Sequence, residues 1–559
     1  MRSQNRTLRI ACTLAALVSI AAVRVSSNAA AQSSNVLRIG TNFFASGLNP
    51  FIQSQEPLPF TYTYPHLVLY NTPSNGFVGS YASSWSSSAN HRTWTFHLQP
   101  GWKWSDGRPI TATDAAWSFN TAVKFQTGAA APIASYVEGI RSASATNQTT
   151  LVLHMSEPLA SSILLSNLVL FSIVPEHIWS QYAVGNGHGL KSFANTPSPG
   201  HPFVSGGPFT IVSYTPDSSI IYARNPDWTG PKPHIDGYGE QNFTNTGALA
   251  AALENGSIDY ANNGIEQNDL SVLKAHGITI QPSPGLEGVY LAINAYHSKS
   301  HRELGNPLVR KAFDYAIDRR AIDTVAFRGY APPMGAPLAV PGTGTASGTK
   351  LPWADPAIKP TPFSLARANH LLNKAGYTMG PGHVRTADGH AMSYTVILET
   401  VLGGPGYRMF SIMQSDFAKI GVRLTVRPVD FDAALSAVQA GKYSQYDMLY
   451  DVDGGVVDPE YMLNAYTCGQ LENQNDNGYC DKAYDRLWRL EDVSATTLQR
   501  LHLAWRMEKL FAQSDSYLPI VAPDSFNAWD KRFTGYVRGA NGDYYWTSTQ
   551  TLLSVHQSK

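Results

Sequence analysis

Apolar positions recur along the chain with two periods. Val309, Ala312, Phe313, Ala316 and Ile317 stand at i, i+3, i+4, i+7 and i+8, which puts them on one face of a helix. Ala368, Leu371, Leu372 and Ala375 repeat that spacing before Gly376, and Phe410, Met413, Phe417 and Ile420 repeat it before Gly421. Glycine just past the last apolar residue is a helix stop. Elsewhere the period falls to two: Trp94, Phe96 and Leu98 alternate with Thr95, His97 and Gln99, and Val422, Leu424 and Val426 alternate likewise, as in strands with one buried face. Val36 to Ile39 reads as a first strand. Helices are expected near 481–492 and 495–514, then a proline-punctuated extended segment at Leu518 to Ala522. Helix followed by strand, repeatedly, predicts α/β layering.

Punctuation divides these elements. After the turn pair Asp106-Gly107, Thr111 is placed to cap a helix running towards Val123, with Asp114 at its third position, where a carboxylate favours the positive end of the helix dipole. Residues 185–208 and 331–362 are rich in Gly, Pro and small polar residues and lack periodicity, so they read as long irregular segments. No internal repeat is visible.

Composition narrows the class. The 559 residues are 43% apolar, which excludes disorder, and only 15% charged, which excludes a coiled coil. Charges balance at 41 against 41, so no basic field exists to hold nucleic acid. Arg2, Arg6 and Arg9 precede an apolar run from Ile10 to Val23 and the small residues Ala29, Ala30 and Ala31, the order of a signal peptide with cleavage expected after Ala31. The apolar run is short for a membrane anchor. Arg9 occupies a position where a lipoprotein signal needs an aliphatic residue before Cys12. Cys468 and Cys480 then remain, and in an exported chain they are expected to be joined; a two-cysteine metal site is the weaker alternative, since no second ligand pair lies nearby.

Residues Leu98 to Asp114, LQPGWKWSDGRPITATD, resemble the signature segment of the family 5 extracellular solute-binding proteins, the peptide, nickel and oligosaccharide receptors of ABC importers. Similar segments follow in that family's order: SGGPF at Ser205, RNPDW at Arg224, ENGSIDY at Glu254, NPLVRKAFDYAIDRRAI at Asn306, ARANHLLNKAGY at Ala366 and KIGVRL at Lys419. The resemblance implies an α/β, two-lobed periplasmic binding protein fold with a hinge, and an extra subdomain inserted in the first lobe. By matching order, the signal peptide occupies 1–31 and the first lobe 32–75, 205–285 and 515–559. The inserted subdomain spans 76–204 and the second lobe 286–514. It further implies a periplasmic, non-enzymatic, monomeric receptor without cofactor, which traps a small solute between closing lobes and hands it to a membrane permease.

The same resemblance nominates contacts. In MLYDVDGGVVDPE, from Met448 to Glu460, Asp453 matches the aspartate that takes a peptide's α-ammonium in peptide-binding members, and Tyr450 matches a position that is often aromatic. Tyr290 and Asn294, on the crossover into the second lobe, and Phe43 and Phe44, before GLNPF, are candidates to line the cleft. Each has a competing packing role, because an aromatic on a strand usually belongs to the core. A calcium loop built on Asp451 and Asp453 fails, since Gly455 and Met462 stand where oxygen ligands are required. The 16 histidines are scattered, so no direct metal ligation is expected. A short peptide is therefore the favoured ligand, with an oligosaccharide next. A secreted glycosidase-like hydrolase is a remote alternative, as no catalytic motif emerges.

Overall fold

The computed structural model describes residues 35–558 apart from 43, 54–57, 72–75, 263, 340–345, 347–348, 350, 400–402, 430, 440–442, 455–457, 495 and 539–548. The expected leader at 1–31 and Phe43 lie outside the described residues.

The described chain begins with strand Val36–Thr41, whose inward Leu37 and Ile39 are fully buried. This strand centres a seven-stranded sheet ordered Thr279–Ser283, Ser525–Trp529, Tyr260–Asn262, Val36–Thr41, Gly237–Asn242, Ser219–Arg224, Phe209–Thr215. Its pairings with Gly237–Asn242 and Tyr260–Asn262 are parallel, and the outer pairs are antiparallel. Helices Thr246–Glu254 and Leu270–Ala275 contribute to the core on one face; a large aromatic core fills the other.

That aromatic core continues into an antiparallel four-stranded sheet, Ala82–Ser87, Thr93–Leu98, Thr150–Met155 and Ile140–Asn147. The alternation of Trp94, Phe96 and Leu98 is observed, all three being buried. Helix Ala112–Phe125 packs here behind the expected cap: the Thr111 N–H donates to Asp114 Oδ2 at 2.9 Å and the Thr113 N–H to Thr111 Oγ1 at 3.2 Å. Such caps stabilise a helix by about 1 kcal/mol. The loop expected at 185–208 is largely irregular but carries one short helix, His188–Ser192. Gly207 is demanded by proximity, since a Cβ there would stand 2.2 Å from the Tyr62 carbonyl oxygen.

The chain then crosses from Thr279–Ser283 into strand Glu287–Ile293 of a second, five-stranded sheet. Its order is Arg423–Val429, Ser393–Glu399, Met448–Gly454, Glu287–Ile293, Tyr517–Val521. The first three strands run parallel and Glu287–Ile293 is antiparallel to both neighbours. Helices Pro307–Ala316, Leu365–Lys374 and Gly403–Lys419 cover one face, with Val309, Ala312, Phe313, Ala316 and Ile317 wholly buried as their spacing requires. Helices Lys482–Asp492 and Thr497–Ala512 belong to the core of the other face. Buried Glu508 accepts N–H bonds from Ala339 at 2.9 Å and Asp355 at 2.6 Å, which anchors these two described positions of the segment expected to be irregular. A second crossover, 522–524, returns to the first sheet through Ser525–Trp529, and the two crossovers meet at Gly285 and Pro523. Among the described residues no helix is long and apolar enough to cross a membrane.

Candidate functional site

Strand parity decides what the end of the five-stranded sheet presents. Successive side chains of Met448–Gly454 face opposite sides. Met448 and Tyr450 enter the core under the helices of one face, Leu449 enters the core of the other, and Asp451 and Asp453 share the side of Leu449. On the parallel neighbour, Ile397 joins the same core as Leu449, so Glu399 ends its strand on that side too. Asp476 arrives from the loop between Cys468 and Cys480, and Glu287 stands exposed at the rim, opposite Gly454. Carboxylates from separate elements thus gather at one end of the sheet, beside the crossovers.

Their surroundings are aromatic and hold few donors. Tyr517 Oη donates to Asp451 Oδ2 at 2.8 Å, and the Gly454 N–H donates to Asp453 Oδ1 at 2.8 Å. The Asp476 side chain is almost fully buried and shares a side-chain hydrogen bond with Asp451. The buried Tyr290 hydroxyl has no hydrogen-bond partner among the described residues. Tyr290 stacks on Tyr517 with ring centres 4.4 Å apart, and Tyr466 lies 4.9 Å from Tyr517. Gly288 makes room for this, because a Cβ there would stand 2.5 Å from Tyr290 Oη. Tyr461 is 39% exposed, and its phenol is raised first by the nearby Asp453 charge.

Burial pushes every carboxyl of the inner group upward. Glu399 reaches about 9 through burial, reinforced by Asp451, Asp453 and Glu287. Asp453 rises well above its ordinary value through burial and then Asp451, and Asp476 likewise. Asp451 rises through burial against the opposing bond from Tyr517. No cation among the described residues offsets any of the four. Packing carboxyls without a counter-charge favours their protonated forms, and a cation arriving among them favours ionisation.

The nominated residues divide. Asp453 and Tyr290 lie in this cluster, Asp453 half-buried at its centre and Tyr290 in its aromatic floor. Tyr450 does not join them: an offset of three along a strand reverses the face, and its hydroxyl donates to Met409 Sδ at 2.9 Å in the core. Asn294, beyond the far end of Glu287–Ile293, donates from Nδ2 to the Tyr443 and Tyr446 carbonyls at 2.7 and 3.0 Å, a structural tie. Phe44 is half-buried against the aromatic core of the first sheet. Glu399, Asp476 and Tyr461 also stand in the cluster, with no family position or motif to nominate them. The polar run NQNDN between two cysteines was the available signal for Asp476, since its flanking Asn475 and Asn477 are fully buried.

Cys468 and Cys480 are bonded, closing the loop that delivers Asp476. Tyr443 Oη donates to the Asn475 carbonyl and Tyr446 Oη to the Asp476 carbonyl, both at 2.6 Å, fixing that loop against the sheet. The last aspartate of the segment, Asp458, has a different task. It receives both Nη groups of buried Arg500, at 2.5 and 2.8 Å, while Arg500 Nε donates to Glu491 at 2.6 Å. Arg500 Nη1 also donates to Ser162 Oγ at 2.6 Å, and the Ala160 N–H to the Asp492 carbonyl at 2.9 Å. These bonds join residues 160–162, which follow the four-stranded sheet in the chain, to the helices of the five-stranded one.

Comparison with known proteins gives concordant results. Residues 76–473 match the family model described as bacterial extracellular solute-binding proteins, family 5 Middle. The di/tripeptide-binding protein 2 of Pseudomonas aeruginosa is 23% identical over 506 residues, 87% of this chain and 88% of that protein. Among solved structures, NikZ from Campylobacter jejuni in complex with Ni(L-His) superposes with TM-score 0.77 at 18% identity, covering 94% of this chain and 100% of the other. The ABC transporter-associated periplasmic binding protein DppA from Helicobacter pylori, in complex with peptide STSA, gives 0.75 at 22% identity over 94% and 98%. These likenesses show a mixed α/β periplasmic binding protein fold.

Proposed function

The chain belongs to the bacterial extracellular solute-binding proteins of family 5, a non-enzymatic family serving ABC importers, and we propose that its solute is a short peptide taken through its cationic amino terminus. One observation carries this reading: Asp451, Asp453, Asp476 and Glu399 converge beside the crossovers with no protein cation among the described residues to balance them. A desolvated carboxylate facing an ammonium forms a charge-assisted bond and rejects ligands that lack the cation. Asp453 is assigned as the direct partner, with Asp451 and Asp476 behind it. Tyr461 supplies an exposed ring for the adjoining apolar part of the ligand.

In this reading the sheets define two lobes, the 522–524 and 284–286 crossovers form the hinge, and closure over the peptide creates the surface that a membrane permease recognises. The ligand named for DppA is a peptide, and P. aeruginosa di/tripeptide-binding protein 2 carries the same solute class in its name. NikZ, holding Ni(L-His), supplies the competing reading of a cationic metal complex. Calorimetry with a di- or tripeptide and its N-acetylated counterpart separates the two. Acetylation removes the cation, and leaving a buried carboxylate unpaired costs about 2–5 kcal/mol. Equal affinity for both peptides would overturn the assignment.

A further inference from the structure

Glu303, His301 and His390 come together at the other end of the strand that carries Glu399. Glu303 Oε1 lies 3.2 Å from His301 Nδ1 and 3.2 Å from His390 Nε2, and the three candidate donor atoms all lie within 4.8 Å of one another. Four ligands about 2.0–2.1 Å from a zinc ion, at tetrahedral corners, stand about 3.3–3.4 Å apart, so two of the three separations already match. The third separation, between the two imidazole nitrogens, lies within 4.8 Å.

The distribution of hydrogen bonds around Glu303 is lopsided. Oε1 faces both imidazoles and the Tyr394 hydroxyl, which donates at 2.9 Å, while Oε2 has no hydrogen-bond partner among the described residues. Glu303 is only 2% exposed. A buried carboxylate with one oxygen unpartnered is costly, and a divalent cation held through Oε1 offsets the charge of the whole group. The other ring nitrogen of His301, Nε2, faces Asp447 Oδ1 at 3.8 Å, and Asp447 is itself oriented by the Thr395 N–H at 2.8 Å. A carboxylate behind a metal-ligating imidazole is the usual device for fixing its tautomer and orientation.

We propose that His301, Glu303 and His390 form a zinc site of the five-stranded-sheet region, separate from the carboxylate cluster. Two imidazoles with one carboxylate suit a borderline ion such as zinc, whereas calcium and magnesium take oxygen ligands. The exposed side of His390 leaves a fourth position for water. The site lies at the Tyr394 end of Ser393–Glu399, about 17 Å along the strand from Glu399 at about 3.3 Å per residue. Bound there, zinc ties the Arg302–Gly305 turn to the Thr386–Ala387 and His390–Ala391 hairpin. Sequence spacing concealed the site because the two histidines are far apart in the chain. His297, four residues before His301, instead stacks on Tyr443.

The test uses tag-free protein comprising residues 32–559, stripped with chelator, dialysed, and titrated with zinc chloride, with metal content read by mass spectrometry. One zinc per chain is expected, with thermal stability raised by zinc and restored to baseline by chelator. His390→Ala, altering a surface hairpin, is expected to keep the circular dichroism spectrum and lose at least about tenfold in zinc affinity; Asp447→Asn is expected to lose about tenfold. Absence of zinc uptake by the unaltered protein, or equal uptake by His390→Ala, overturns the proposal. Neither result depends on which solute occupies the cleft.

Discussion

Gly285 approaches Pro523 so closely that a β-carbon on the glycine would stand 1.9 Å from the proline carbonyl oxygen. The residues sit on the two crossovers between the sheets, so this contact sets how near the crossovers run. Any side chain at 285 forces them apart. Gly285→Ala is expected to lower stability by about 1–3 kcal/mol, as overpacking does, and to weaken peptide binding by misaligning the lobes. Thermal unfolding and calorimetry of the variant measure both effects; an unchanged midpoint would remove the contact from the account.

Glu399 and its neighbours determine the pH response. With the folded carboxyl of Glu399 at about 9 and the unfolded one near its ordinary value, the folded chain holds a proton that the unfolded chain has released between those limits. Stability of the ligand-free protein therefore falls as pH rises from about 5 to about 9, and acid does not reverse that gain until other groups titrate. A cationic ligand favours the ionised cluster, so its affinity rises across the same window and binding releases protons. Calorimetry in buffers of different ionisation enthalpy checks this; buffer-independent heats would contradict it.

Cys468 and Cys480 close the loop that holds Asp476 in place. A closed loop of about 15 residues is worth about 3 kcal/mol in the chain-entropy account. Replacing both cysteines by serine is expected to cost about 2–3 kcal/mol and to reduce peptide affinity more than the stability loss alone explains, because Asp476 loses its fixed position. Denaturant unfolding alongside ligand titration distinguishes the two effects.

Ser162 accepts a hydrogen bond from Arg500, which lies on a helix of the second sheet's core. Arg500 keeps Asp458 and Glu491 when the serine hydroxyl is removed, so Ser162→Ala deletes one crossing bond and leaves the ion cluster intact. A hydrogen bond to a charged group contributes about 1.5–3 kcal/mol. Ligand affinity is expected to fall several-fold and the ligand-free protein to show a larger radius in small-angle scattering. An unaltered radius and affinity would make this contact incidental.

Much of the fold was legible because it rests on local rules. The stripe Val309, Ala312, Phe313, Ala316 and Ile317, the Thr111 cap and the alternation at Trp94, Phe96 and Leu98 all appear where period and capping chemistry put them. Asp453 is nominated by its family position alone, whereas the bonded cysteines were legible through compartment and spacing. Tyr450 and Asn294 were misplaced for reasons that physics supplies. An odd offset on a strand turns Tyr450 away from Asp453, and Asn294 lies at the wrong end of its strand. Glu399, Asp476 and the His301, Glu303, His390 group were hidden because each depends on segments brought together only by tertiary pairing.

The central claim is that Asp453, in its uncompensated carboxylate cluster, receives the ammonium of a peptide. Native mass spectrometry of the protein against a pool of di- to pentapeptides, a pool of oligosaccharides and a nickel–histidine complex, repeated with Asp453→Asn, tests it most directly. Peptide adducts are expected with the unaltered protein and are expected to be lost in Asp453→Asn. Sugar or nickel-complex adducts that persist in the variant, with no peptide bound by either protein, would contradict it.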